Sequence, residues 1–213
     1  MESTVLLLPF ILSSLVTTTF SLSCTECTVE GSKPCQGPAV TCLPGFDSCV
    51  ATLEIDSTGG KEVTWYKQYC GKTSMCSYTG TQTTYEGGRK VGANCCFTNS
   101  CVPPTPKFPT IKPEKNGLSC KVCSHETETA CKTVECTGEE NKCVSITSTI
   151  KAGKTSSTTS VSGCGTPGWC DKDREFQYGA QTTEITFTCS SGKDPLAPAL
   201  LLLAALLLMK AIS

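Results

Sequence analysis

The stretch Leu22-Ser23-Cys24-Thr25-Glu26-Cys27 opens a series of closely spaced cysteines, and their spacing decides the fold. From Cys24 to Cys95 the numbers of residues between successive cysteines are 2, 7, 6, 6, 20, 5 and 18. From Cys120 to Cys189 the numbers are 2, 7, 4, 6, 20, 5 and 18, so only one interval differs. This agreement indicates a tandem duplication of one cysteine-framed module.

Two further cysteines, Cys96 and Cys101, belong to the first module only and give it ten cysteines against eight in the second. Both counts are even, as a closed set of disulfides requires. A module of about 75 to 80 residues has barely enough apolar interior to fold alone, so we expect disulfides to dominate its stability. Disulfides persist in oxidising compartments, which predicts an extracellular protein.

The opening Leu22-Ser23-Cys24-x-x-Cys27, the adjacent Cys95-Cys96 and the short closing loop to Cys101 resemble the lymphocyte antigen-6/urokinase-receptor (uPAR/Ly6) domain family. The resemblance implies an all-β chain of two tandem, disulfide-rich three-finger (snake-toxin-like) domains. It also implies how the cysteines pair. In the first module the pairs are Cys24–Cys49, Cys27–Cys35, Cys42–Cys70, Cys76–Cys95 and Cys96–Cys101; in the second they are Cys120–Cys143, Cys123–Cys131, Cys136–Cys164 and Cys170–Cys189.

Two features depart from the family's pattern. Val102, where the family usually has Asn, follows Cys101, and Ser190 follows Cys189, so the second module lacks the final cysteine pair. A complete first module followed by a second one without that pair resembles the gamma-type phospholipase A(2) inhibitors of snake serum. The resemblance therefore implies inhibition of a secretory phospholipase as one function.

Both ends of the chain predict targeting signals. Val5 to Val16 is apolar and too short to span a bilayer, which is typical of a signal peptide, and we predict that residues 1–21 are removed. The apolar stretch from Leu196 to Met209 covers only about 21 Å as a helix, less than the ~30 Å hydrocarbon core. We interpret it as a glycosylphosphatidylinositol (GPI) attachment signal, with Ser190 as the lipid-bearing residue and residues 191–213 removed. This predicts the extracellular face of the plasma membrane, or a shed product.

The two modules, residues 22–101 and 118–190, are joined by a linker with five prolines, residues 102–117. This composition predicts an extended, semi-rigid spacer, with relative motion of the two domains. Inside each module, segments rich in Val, Ile and Thr alternate with turns such as 56–60 and predict β-hairpins.

No arrangement in the sequence predicts catalysis, a cofactor or a resident metal. The two C-x-x-C motifs could bind zinc or act in redox chemistry, but in a secreted chain with even cysteine counts we interpret them as disulfide-bonded. His125 is the only histidine, and acidic pairs such as Glu139-Glu140 lie beside predicted turns. A net charge of -1 gives no electrostatic signature for nucleic acid.

Recognition of another protein is the function that remains. We predict Trp65, Tyr66 and Tyr85 on the second and third fingers as partner-binding residues, because aromatic anchors contribute most of the energy of many interfaces. Adjacent Trp65 and Tyr66 must point to opposite faces of a strand, which favours exposure of at least one of them. The alternative is that both pack on neighbouring fingers. The run 155–160, made of Ser and Thr, is either a solvated strand edge or a site of O-linked sugar.

The sequence thus predicts a GPI-anchored cell-surface protein that binds an extracellular protein partner through its finger loops and catalyses nothing. The first alternative is an inhibitor of secretory phospholipase A(2). The second is a secreted or shed signalling factor of the pheromone type.

Overall fold

The computed structural model describes residues 21–110, 112–123, 131–170 and 173–191, apart from the side chain of Cys123. Within these ranges the chain is nearly all β and has no α-helix. The apolar part of the predicted signal peptide, His125 and the apolar C-terminal stretch lie outside the described residues. Across the described ranges, no helix has the length and apolar character needed to cross a membrane.

Thirteen strands form in the described residues. Those of the first module are β1 (Ser23–Thr25), β2 (Cys27–Glu30), β3 (Ala39–Thr41), β4 (Ser48–Asp56), β5 (Val63–Gly71), β6 (Gly80–Thr83) and β7 (Gly88–Cys96). Those of the second module are β8 (Lys115–Cys123), β9 (Cys131–Thr137), β10 (Lys142–Ala152), β11 (Thr155–Gly165), β12 (Arg174–Tyr178) and β13 (Gln181–Ser190). Short 3-10 turns span Thr58–Gly60, Thr73–Ser77 and Pro167–Trp169.

Disulfide bonds close the base of each module, and no cysteine in the described part of the chain is free. Eight of the pairs implied by the family resemblance are bonded in the structure: Cys24–Cys49, Cys27–Cys35, Cys42–Cys70, Cys76–Cys95, Cys96–Cys101, Cys120–Cys143, Cys136–Cys164 and Cys170–Cys189. The remaining pair involves Cys123, whose side chain is outside the described residues. Sulfurs of different disulfides cluster within 4.8 Å of one another, as in Cys24, Cys42 and Cys70. Because bonded sulfurs supply no thiolate, these clusters are not zinc sites.

The predicted hairpins are the main elements of both modules. Strand β4 pairs with β5 from Ser48 opposite Gly71 to Asp56 opposite Val63, and its other edge pairs with β7. Strand β10 pairs in the same way with β11 and with β13. In each module the central strand is therefore hydrogen-bonded on both edges.

Eight strands close into a ring that both modules build. The order around it is β12, β13, β10, β11, β6, β7, β4 and β5, and β5 pairs with β12 to complete the circle. Strand β2 pairs with β5 outside the ring, while β1–β3 and β8–β9 form separate two-stranded sheets. The expectation of independent domain motion is wrong, because main-chain pairing joins the modules at two places.

These two junctions are equivalent. At one, Thr83 of β6 lies opposite Cys164 of β11; at the other, Gln177 of β12 lies opposite Cys70 of β5. A shift of 94 residues takes Cys70 to Cys164 and Thr83 to Gln177, so one junction maps onto the other. The modules thus pack antiparallel to each other about an approximate twofold axis. The contact between them is isologous and lies within one chain. The third finger of each module lies against the base of the other.

The interior of the ring is a single hydrophobic core shared by the modules. Its buried members are Val50, Tyr69, Met75, Tyr78, Val91 and Ala93 from the first module and Val144, Ile146, Trp169 and Ile185 from the second. Trp169 is fully buried, and its ring centroid lies 5.5 Å from that of Tyr78. Gly80 permits this contact, since a Cβ there would lie 1.9 Å from Trp169 Nε1.

The linker packs against the first module instead of acting as a free spacer. Pro103 and Pro106 are buried, and the Asn94 side chain donates to the carbonyls of Pro104 (3.3 Å) and Thr105 (3.2 Å). Phe108 contacts a buried cluster on the outer face of β4 and β5. The prediction of a semi-rigid spacer is therefore wrong for the part of the linker that precedes residue 111.

Candidate functional site

Tyr66, one of the three predicted partner-binding residues, is fully buried. It packs with Ala51 and Leu53 on the outer face of the sheet, and Phe108 of the linker lies against this cluster. The partner-binding role predicted for Tyr66 is wrong, because a side chain without exposed surface cannot anchor a partner. The alternative, that it packs within the fold, applies to this residue.

Trp65 and Tyr85 are more accessible, and they lie on different elements. Trp65 is half-buried on the opposite face of β5 from Tyr66, as strand alternation requires. Tyr85 is 51% exposed in the turn between β6 and β7, and Lys132 of the second module places its ammonium 3.7 Å from the Tyr85 ring centroid. The three predicted residues therefore do not form one site.

An open groove with several apolar side chains lies at the base of the first module, and we call it the base groove. It encloses a volume of about 720 Å³. Its walls are the loop after β3, the N-terminal segment and the small loop closed by the Cys96–Cys101 disulfide. The apolar side chains lining it are Leu22, Leu43, Pro44, Phe46 and Phe97.

Hydrogen bonds fix the walls of the base groove. The Ser23 amide donates to Asn99 Oδ1 at 3.0 Å, and the Ser100 amide donates to the Ser23 carbonyl at 2.7 Å. The Leu43 amide donates to Gln177 Oε1 at 2.7 Å, which ties this wall to the second module. The groove is thus already formed before any partner arrives.

The base groove exposes large apolar side chains and one charge that is already engaged. Phe97 is 58% exposed and Leu43 is 45% exposed, whereas Phe46 forms the buried floor. Asp47 is the charged lining residue, and its carboxylate accepts hydrogen bonds from the Thr73 amide (2.7 Å) and hydroxyl (2.9 Å). An exposed apolar surface of this kind is typical of a protein-binding site.

Sequence reasoning missed the base groove, although one signal pointed toward it. The Cys96–Cys101 pair is present in the first module and absent from the second, and Phe97 lies inside the loop that it closes. A cross-link that only stabilised the fold would not need an exposed aromatic side chain inside the loop that it closes.

A second, polar cavity of about 380 Å³ lies where the finger tips of the first module approach β10 and β11. Arg89 Nη2 donates to Asp56 Oδ2 at 3.1 Å on its wall, and Gln82 contributes a buried amide. The shift of 94 residues maps Gln82 onto Phe176, which packs 4.7 Å from the Tyr69 ring centroid and fills the equivalent place. The two ring junctions therefore differ at this position, with an amide at one and an aromatic ring at the other.

Burial and charge perturb the ionisation of two groups near this cavity. Burial raises the pKa of Asp56, but hydrogen bonds from Thr58 and the ion pair with Arg89 outweigh it, so the net pKa lies below its ordinary value. Burial, with a contribution from the Glu54 carboxylate, raises the pKa of Tyr78 to about 12. These groups stabilise the ring interior and do not open onto the base groove.

Comparisons with known proteins agree with this architecture. The u-PAR/Ly-6 domain family matches residues 21–104 and 116–196 of the chain. A gamma-type phospholipase A2 inhibitor chain from Laticauda semifasciata is 27% identical over 79% of this chain and 96% of its own length. The phospholipase A2 inhibitor NAI from Notechis ater is 27% identical over 79% of this chain and 86% of its own. Another gamma-type inhibitor chain, from Gloydius brevicaudus siniticus, is 29% identical over 58% of this chain and 65% of its own.

Proposed function

The chain belongs to the u-PAR/Ly-6 domain family and is a non-catalytic binding protein, and from this premise we propose that it binds and inhibits a secretory phospholipase A2. The similarity to the Laticauda semifasciata inhibitor carries the proposal, since it spans 96% of that protein. A match of this extent covers both modules and the contact between them. Inhibition therefore comes from binding, with no chemistry contributed by this chain.

The described surface is compatible with such a role. The inner faces of the second and third fingers are buried against each other in the ring, which leaves the bases and the finger tips exposed. Of these, the binding surface proposed here is the base groove. Exposed apolar side chains in a preformed groove lose little conformational entropy when a partner docks.

The direct test is an inhibition assay with the soluble ectodomain, residues 22–190. We expect it to lower the activity of at least one member of a panel of secretory phospholipases A2, with saturation at a one-to-one ratio. The control is the same protein reduced and alkylated, which lacks the disulfide framework and should not inhibit. No inhibition by the native protein at micromolar concentration across the panel would refute the proposal.

Attachment to the cell surface is a separate part of the proposal. Ser190, the predicted lipid-bearing residue, is exposed at the end of β13, and the apolar stretch Leu196 to Met209 follows it in the sequence. An anchor at this position would hold the base of the second module next to the membrane. Phosphatidylinositol-specific phospholipase C should release the protein from intact cells, and protein that stays on treated cells would contradict GPI anchorage.

A further inference from the structure

We propose that the polar cavity between the two modules binds an N-acetylated sugar, the neutral residue of extracellular glycans that carries both hydroxyl groups and an amide. The cavity has a volume of about 380 Å³ and lies between the finger tips of the first module and strands β10 and β11 of the second. Small-molecule sites of proteins fall in this size range and often lie between domains. The proposal does not depend on phospholipase binding, because the base groove is lined by other residues.

A buried glutamine that lacks a hydrogen-bond partner marks this cavity as a ligand site. Gln82 of β6 lines the cavity and is only 2% exposed. Its Nε2 has no hydrogen-bond acceptor within the described part of the chain. Because an amide donor buried without a partner costs free energy, we expect a group from outside the chain to supply the acceptor. The ligand should therefore place a carbonyl or hydroxyl oxygen at Gln82.

The two ring junctions show that the fold does not require an amide at this position. At the other junction the residue equivalent to Gln82 is Phe176, whose ring centroid lies 4.7 Å from that of Tyr69. The shift of 94 residues maps Tyr69 onto Gly163, so the first junction has neither ring of this pair. An apolar side chain at residue 82 would serve the packing of the ring, and we assign the amide found there to binding.

The charged lining groups fit a neutral ligand better than an ion. Asp56 accepts a hydrogen bond from Arg89 Nη2 at 3.1 Å, while Glu86 is exposed at the rim, so two carboxylates are set against one guanidinium. This excess of negative charge opposes a phosphate, sulfate or carboxylate ligand. An ammonium group would suit Glu86 but has no lone pair with which to accept from Gln82. Sugar hydroxyls donate to carboxylates without bringing a charge that must be desolvated.

An apolar patch in the same cavity favours an acetylated sugar over a plain one. Ile146 and Val161 lie opposite each other on β10 and β11, and both line the cavity. An acetamido group brings a carbonyl oxygen for Gln82 and a methyl group for these two side chains. Ser148 and Thr159 add hydroxyls on the same wall, and Thr159 is exposed, so a ligand can enter from that side.

Two buried glutamines provide a matched pair of variants. Gln82→Met keeps the length of the side chain and removes an amide that has no acceptor in the described chain, so the urea midpoint should not fall. Gln68 is 3% exposed and donates to Tyr66 Oη at 3.2 Å, outside the cavity. Gln68→Met should therefore lower the urea midpoint and leave sugar binding within about twofold of wild type. An equal fall in midpoint for both variants would show that the protein itself uses the Gln82 amide, and would overturn the proposal.

Binding is measured on the purified, disulfide-bonded protein by saturation-transfer difference NMR. The probes are N-acetylglucosamine and N-acetylgalactosamine, with glucose and galactose as the matched sugars that lack the acetamido group. We expect saturation transfer to the acetyl methyl group of the acetylated sugars. The plain sugars should bind at least about tenfold more weakly, and Gln82→Met should weaken binding of the acetylated sugars by a similar factor.

Three outcomes of the binding experiment would overturn the proposal. Equal binding of acetylated and plain sugars would remove the role of the amide and of the apolar patch. Saturation transfer to acetyl-asparagine amide but to no sugar would assign the cavity to a side chain of a peptide partner. No transfer to any probe at about 10 mM would mean that the cavity holds water only. Inhibition of phospholipase is a separate readout, which Gln82→Met should retain.

Discussion

Gly80→Ala would test whether the two modules unfold as one unit, because Gly80 lies where β6 meets the second module. The added Cβ would lie 1.9 Å from Trp169 Nε1 and 2.4 Å from Thr166 Oγ1, both far inside van der Waals contact. Trp169 is fully buried and packs against Tyr78, so it has no free space into which it can turn. We expect the free energy of unfolding to fall by about 1–3 kcal/mol, as for other overpacked cores.

The two tryptophans provide one fluorescent reporter in each module. Trp65→Phe leaves Trp169 to report on the second module, and Trp169→Phe leaves Trp65 to report on the first. In each protein the urea midpoint from fluorescence should equal that from circular dichroism, since one cooperative unit unfolds in one transition. With an m-value of about 2 kcal/mol per M, Gly80→Ala should lower the midpoint of the Trp65→Phe protein by roughly 0.5–1.5 M. In the Trp169→Phe protein the clashing indole is absent, so the shift should be smaller.

The decisive result is the response of the module that does not contain the substitution. If the Trp169 reporter keeps its midpoint when Gly80 becomes alanine, the shared core does not couple the modules and the reasoning fails. Ser77→Ala is the matched control, because Ser77 is exposed in the segment just before β6 and the substitution adds no atoms. It should change the free energy of unfolding by less than about 0.5 kcal/mol.

The remaining predictions concern Tyr66, the Cys96–Cys101 disulfide and Tyr78. Tyr66→Ala should lower the free energy of unfolding by about 3–5 kcal/mol, measured in urea, because it removes a fully buried aromatic ring; a stable variant with weakened partner binding would instead indicate a binding role. Replacing Cys96 and Cys101 together by serine opens a loop of about six residues and should cost ~2 kcal/mol while the other disulfides still form, which peptide mapping would check. The raised pKa of Tyr78, about 12, means that its neutral phenol is favoured in the folded protein. Its contribution to stability is therefore complete below the unfolded pKa of about 10 and is lost as pH rises toward the folded value. Tyr78→Phe should accordingly reduce the fall in unfolding free energy between about pH 10 and pH 12, and identical slopes in the two proteins would contradict this.

The disulfide framework and the hairpins could be predicted because their signals are local and repeated. The closure of the ring could not be predicted, because each junction consists of only two residue pairs. At one junction, for example, Thr83 lies opposite Cys164 and Gln82 opposite Gly165. Such short pairings leave no pattern in the sequence, because small residues like Gly80 and Gly165 serve equally well in turns. The approximate twofold relation becomes visible only when the structure shows that one junction is the other displaced by 94 residues.

Trp65 and Tyr66 show the same limit of prediction from sequence within one strand. Alternation correctly assigns Trp65 and Tyr66 to opposite faces of β5, but it cannot say what covers each face. Tyr66 is buried in a cluster with Ala51 and Leu53, and Phe108, from a segment predicted to be a spacer, packs against this cluster. A contact between residues so far apart depends on the path of the linker, which composition alone does not determine.

Closure of the ring also changes where a partner can bind. In a chain of two independent three-finger domains, the inner faces of the fingers would be available to a partner. Here those faces form the shared core, so the surface left for recognition is at the bases and the finger tips. One difference between the bases is the Cys96–Cys101 loop, which carries exposed Phe97. Because duplication alone would have made the two ends alike, this difference is the structural feature to which a one-to-one binding function should be assigned.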